Sequence, residues 1–117
     1  MPYFSIETSK KIEAVGEEAV SHKASAFVAE LLGKPEGYVM VAVKHSLPMR
    51  FGGALDPAAM VQLCSIGLPR ERCAELSEKI CAFVEQELGV SQERIFIDFR
   101  DLERSMFGWN GKTFSSP

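Results

Sequence analysis

Proline stands second in the chain, in Met1-Pro2-Tyr3-Phe4, and it is the one residue here whose backbone nitrogen offers acid–base chemistry. Removal of Met1 before a small second residue leaves a free secondary amine. Partial burial beside a cation keeps such an amine neutral, because desolvation and like charge both oppose protonation. A neutral amine near neutral pH is a general base. Pro2 immediately precedes residues 3–7, which read as a strand, so the nitrogen would sit at a rigid sheet end. The plain alternative is that proline is simply a common second residue. Other chemical signatures are missing: no GxSxG, no HExxH and no Gly-rich nucleotide loop. Gly33-Lys34 lacks the upstream glycine and the following Ser/Thr of a phosphate loop. His22 falls in a helical stretch and His45 in a turn. Neither has cysteine or carboxylate partners at ligand spacing, so no zinc site is expected. Cys64, Cys73 and Cys81 form neither a CxxC nor an even set, and they read as reduced thiols of a cytosolic protein. Arg70-Glu71-Arg72, with Glu85 and Glu87, reads as a solvated helix face.

The elements that hold such a site come from 117 residues, enough for one domain. Apolar residues make up 46% and charged ones 25%, the balance of an ordinary globular chain. A formal charge of −3 argues against a nucleic-acid partner bound through bulk charge. The longest apolar run covers residues 39–43, or 38–43 with the tyrosine, far short of the roughly 20 needed to span a bilayer. Residues 1–7 have neither a basic n-region nor an apolar h-region, so no secretory signal and a cytoplasmic location are expected.

The chain repeats itself. Leu32-Gly33 recurs as Leu88-Gly89, 56 residues on. The same offset maps Val39 onto Ile95, Val41 onto Ile97, and Phe51-Gly52 onto Phe107-Gly108. It also pairs Val20 with Leu76, Ala24 with Ile80, Phe27 with Phe83 and Val28 with Val84. Apolar character survives at each pair, so the unit is duplicated, with copies at about residues 2–57 and 58–114. In each copy a strand (3–7; 59–66) precedes a helix-period stripe: Val20, Ala24, Phe27 and Leu31, then Cys73, Leu76, Ile80 and Phe83. The first helix starts somewhere between Lys11 and Glu17. Gly33 and Gly89 suit left-handed helix ends, Pro35 reinforces the first stop, and Pro69 fits the first turn of the second helix. Residues 38–44 and 94–99, rich in Val, Ile and Phe, read as strands.

Two β-α-β units predict an α+β fold, a four-stranded sheet with both helices on one face, since such crossovers are right-handed. Val39, Val41 and Val43 alternate with Tyr38, Met40 and Ala42, and Ala59, Val61 and Leu63 with Met60, Cys64 and Ile66. Both faces of the sheet therefore read as largely apolar, and two helices cover only one. An oligomer that buries the second face is expected.

Met1-Pro2, Gly33-Lys34-Pro35-Glu36-Gly37-Tyr38-Val39-Met40, Met49-Arg50-Phe51-Gly52-Gly53, Asp56-Pro57, Ser65-Ile66-Gly67, Arg94-Ile95-Phe96-Ile97 and Gly108-Trp109-Asn110-Gly111-Lys112-Thr113-Phe114 resemble the macrophage migration inhibitory factor family of the tautomerase superfamily. The resemblance runs from the first residue to Phe114. It implies a homotrimer whose sheets line a barrel. It also implies keto–enol tautomerase activity on small aromatic keto acids of the phenylpyruvate or dopachrome type, with no metal or organic cofactor. Pro2, freed of Met1, matches the catalytic base, and Lys34 the lysine that pairs with substrate oxygen. Ile66 matches a residue whose backbone contributes to the pocket, and Tyr38, Trp109 and Phe114 match its aromatic walls. Without the resemblance, Lys34 would be a surface lysine and the three aromatics packing residues.

This chain departs from the family pattern where vertebrate members carry a tyrosine and then an asparagine on the strand lent by a neighbouring subunit: it has Phe96 and Asp98. The first loses a hydroxyl donor. The second adds a carboxylate that would repel an anionic substrate and raise the Pro2 amine's pKa, unless Arg100, on the same strand face, pairs with it. Ala58 and Val61 stand where some members have a CxxC, so no thiol-oxidoreductase activity is carried over. A second reading is a cytokine-like interaction protein with a protein receptor and weak or altered catalysis. Lys11, Ile12 and His45 do not reproduce the charged pair linked to one such receptor. A third, hydration or decarboxylation, needs pocket arginines, for which Arg50 and Arg100 are the candidates. Family members leave cells without a signal peptide, so secretion by that route stands beside the cytoplasmic reading.

Overall fold

Along residues 3–8 buried and part-exposed positions alternate without a break, as a strand with one covered face requires. This is β1, Tyr3–Thr8. The computed structural model describes residues 1–116. After β1 come α1 (Ala14–Leu32), β2 (Met40–Lys44), β3 (Ala59–Ile66), α2 (Cys73–Leu88), β4 (Ile95–Leu102) and a small hairpin of β5 (Gly108–Trp109) and β6 (Lys112–Thr113). The main sheet has the order β2-β1-β3-β4. β1 pairs parallel with β2 and antiparallel with β3, and β3 pairs parallel with β4. Two β-α-β copies therefore lie back to back, their first strands adjacent.

One sheet face carries Phe4, Ile6, Val61 and Leu63, all buried, and packs under Val20, Ala24, Val28 and Leu31 of α1 and Leu76, Ile80, Val84 and Leu88 of α2. Phe27 and Phe83, related by the repeat, stack on one another between the helices, ring centroids 4.2 Å apart and planes 10° from parallel. Lys23 of α1 and Glu87 of α2 pair at 3.2 Å. Glu87 was expected on a solvated face, but its side chain is only 14% exposed, because α2 turns it toward the neighbouring helix. Each α-helix ends on a left-handed glycine, Gly33 at φ 64° and Gly89 at φ 71°, a conformation that side chains with a Cβ resist.

Three expectations change. Tyr38 does not lie in a strand: residues 36–38 form a single 3-10 turn and β2 starts at Met40, since the Tyr38 and Val39 N–H groups bond back to Pro35 and Glu36. β4 continues three residues past Phe99, to Leu102, its far end paired with the end of β3. The second sheet face is mixed instead of largely apolar. By register its rows are Met40, Tyr3, Cys64 and Arg100; then Ala42, Ser5, Gln62 and Asp98; then Lys44, Glu7, Met60 and Phe96. The apolar groups thus lie toward the two ends, Met40, Tyr3 and Cys64 beside Arg100, and Met60 and Phe96 beside Lys44 and Glu7. In the middle row between them Gln62 donates to Asp98 at 3.3 Å.

Candidate active site

Pro2 is fully buried at the head of β1. Its carbonyl accepts the Met40 N–H at 3.0 Å, so the parallel β1–β2 ladder holds the residue before the strand proper begins. The helix end positions Lys34. With Gly33 left-handed, the Gly33 and Lys34 N–H groups donate to Glu30 O and Ala29 O at 3.3 and 3.0 Å, the double bond of a Schellman cap. Lys34 leaves the helix there, pointed at the chain start, and Pro35 prevents the helix from resuming. The 3-10 turn then brings Tyr38 over Pro2.

The opposite wall comes from the C-terminal hairpin. Asn110 and Gly111 both have positive φ, 54° and 77°, the signature of a two-residue type I′ turn. It folds Trp109 back so that its ring meets Tyr38 edge-on at 5.9 Å and Phe114 in parallel at 6.3 Å, while Phe107 stacks on Phe114 at 5.8 Å. A cavity of about 380 Å³ opens between these rings and Pro2, Tyr3, Met40, Cys64 and Leu102. A second, of about 370 Å³, adjoins it and is lined by Lys34, Ile66, Gly67 and Arg104. Met1, Tyr38 and Phe114 line both.

The terminal amine of this chain, on Met1, is held below its ordinary pKa, first by burial and then by the positive charges of Lys34 and Arg104. Arg104 was not anticipated. Of the two arginines expected as candidates, Arg50 donates to Gly53 O at the other end of the sheet and Arg100 pairs with Asp98 at 2.9 Å. Arg104 escaped notice because no motif marks it. Only the turn that follows β4, residues 104–106, directs it to the pocket. Among the described residues no group of three or more His, Cys, Asp or Glu side chains is placed to hold a metal.

Pro2, Lys34, Tyr38, Ile66, Trp109 and Phe114 thus come together within one protomer. Phe96 and Asp98 do not. Phe96 lies against Phe51 at 4.8 Å, beside a cleft lined by Met49, Arg50 and Met60. Its row on the sheet is four residues along β1 from Tyr3, roughly 13 Å at strand rise. Asp98 faces Gln62 and Arg100 in the polar row.

A model of the family described as macrophage migration inhibitory factor (MIF) matches residues 1–115. The chain belongs to the MIF family. A MIF homolog of Brugia malayi is 40% identical over 116 residues, covering 97% of this chain and 99% of its own length. Among solved structures, the MIF homologue from Prochlorococcus marinus superposes with a TM-score of 0.89 at 39% identity, over 97% of this chain and 99% of that one. The MIF of Trichinella spiralis gives 0.88 at 33% identity, over 96% and 99%. The mixed four-stranded sheet with two helices is thus the MIF fold along nearly the whole chain.

Proposed function

We propose that this MIF family member is a keto–enol tautomerase of small aromatic keto acids, with the Pro2 nitrogen as general base once Met1 is removed. The observation that carries this reading is the seat of the chain start: Pro2 is buried against an apolar aromatic slot, beside two cations that disfavour the charged form of the Met1 amine. In the reaction Pro2 takes a proton from the carbon next to the substrate carbonyl and returns it at the other end of the enol. Nothing is consumed, so the amine regains its lone pair each turnover. Lys34 supplies positive charge where the carbonyl oxygen becomes an enolate, the point at which fixed charge accelerates most. Tyr38, Trp109 and Phe114 would hold the aromatic ring.

Phe96 and Asp98 would reach a Pro2 pocket only from another protomer, and the reading therefore includes the homotrimer. Arg100 stays with Asp98 in that arrangement, offsetting most of the carboxylate's repulsion of an anionic substrate. The test follows phenylpyruvate ketonisation with Met1-free protein, verified by mass, and with Pro2→Gly. A loss of about a hundredfold or more in kcat is expected, the usual worth of a positioned base. Equal rates would remove Pro2 from the reaction.

A further inference from the structure

The two cavities at the chain start differ in character. One is walled by rings and aliphatic groups, and the other holds Lys34 and Arg104; Met1, Tyr38 and Phe114 form the seam between them. We propose that Arg104 is a specificity residue that, with Lys34, binds the carboxylate of a ligand whose aromatic ring lies across the seam in the apolar cavity.

Arg104 is fastened in place. Its Nη2 donates to Phe114 O at 3.1 Å, and the Phe114 N–H donates to Arg104 O at 3.1 Å. The pocket wall and the guanidinium are therefore positioned together. One guanidinium donor is used in this way, and the others of its five N–H groups remain for a ligand. A planar fork of that kind matches a carboxylate in two parallel bonds, which an ammonium does not. Among the described residues, neither Lys34 nor Arg104 makes an ion pair with a carboxylate. Two adjacent cations stand at one mouth of a chain whose net charge is −3, a local field opposite in sign to the whole. Both also disfavour the charged form of the Met1 amine, and an entering anion relieves the repulsion between the two side-chain cations. Ring on one side and carboxylate on the other leave the intervening carbons over the start of β1. The chemistry at those carbons rests on the tautomerase reading, but the binding does not.

Trp109 is the chain's single tryptophan and lines the apolar cavity, so its fluorescence reports occupancy. The probes are 3-phenylpropionate, which has the ring and carboxylate but no enolisable ketone, and its methyl ester. Arg104→Gln keeps a donor for Phe114 O and removes the charge, and Arg104→Lys keeps the charge. With Arg104→Gln, affinity for the carboxylate should fall about tenfold or more, the loss of a charge-assisted hydrogen bond, while the ester binds as before. Arg104→Lys should recover part of the loss. Parallel changes for acid and ester, no change, or no binding of the acid to the unaltered protein would each overturn the proposal. Turnover separates it from the tautomerase reading. Charge-selective binding without ketonisation of phenylpyruvate would refute that reading alone. Ketonisation with an unchanged KM in Arg104→Gln would refute this inference alone.

Discussion

At the residue scale the proposed tautomerase chemistry depends on a nitrogen that stays neutral. Burial, Lys34 and Arg104, in that order, hold the Met1 amine below its usual pKa, and a Pro2 amine left by removal of Met1 would start the chain beside the same two cations. A base works in its neutral form, so kcat/KM should rise with pH through the amine's pKa and level off above it. Lys34→Gln removes one of the charges that oppose protonation, which raises that pKa, so the acidic limb should move to higher pH. A pH–rate profile of the variant reads this directly, and a limb that stays put would mean Lys34 is not close enough to act. Arg100→Ala should move the limb the same way if Asp98 of a neighbouring protomer faces the amine, since its carboxylate would lose its 2.9 Å partner.

At the scale of elements, duplication explains both the fold and the asymmetry of its site. The repeat was readable because the apolar stripe and the glycine stops recur 56 residues apart, and helix ends obey local rules. The repeat counterpart of Pro2 is Ala58, buried mid-chain, and its nitrogen is an amide that donates to Ser9 Oγ at 3.1 Å. The counterpart of Lys34 is Val90, fully buried. Only the first copy has a terminal amine, so one pocket per chain would hold the proposed base. Where the copies meet, Phe27 and Phe83 stack across the local two-fold. A double-mutant cycle with alanine at both, measured by denaturant unfolding, should give a coupling of about 1 kcal/mol. A value near zero would mean that the rings share the groove without attraction. The C-terminal hairpin was not among the expected strands, although Asn110-Gly111 carries a local signal for it, a two-residue turn needing positive φ at both positions. The 3-10 turn at residues 36–38 carries no comparable signal, because Tyr38 and the Val39 that follows suit a strand equally well.

The whole molecule shows more surface than a self-contained chain of its size. At 12.9 kDa a folded monomer exposes about 6,300 Å², whereas this protomer exposes 7119 Å². Its radius of gyration is 14.8 Å, against about 13 Å for a compact domain of this length. The second sheet face lacks a helical layer, with Met40 67% and Phe96 62% exposed at its two ends. β4 is an edge of eight residues with no partner on its outer side among the described residues, an edge that invites pairing with another chain. With the homotrimer of the proposed function, sedimentation equilibrium of the full protein should give about three times the 12.9 kDa chain mass. Phe96→Lys, which places a charge on an apolar end of the face, should shift the balance toward monomer and lower activity with it. A monomer that keeps full activity would show that no neighbouring chain completes the pocket.

Pro2 at the head of a strand and Lys34 after a helix stop were legible in the linear order of residues, because strand alternation and helix ends are written in neighbouring positions. Their grouping with Tyr38, Trp109 and Phe114 came from the resemblance to the family, without which Lys34 read as a surface lysine and the rings as packing residues. The duplicated core was legible as well, since its apolar stripes repeat at fixed intervals. Arg104 at the pocket and the polar middle row of the open face were not. Each depends on strand register and on where the chain goes after β4. A shift of one residue in register turns every side chain to the other face, and such choices are settled by contacts between segments far apart in the chain.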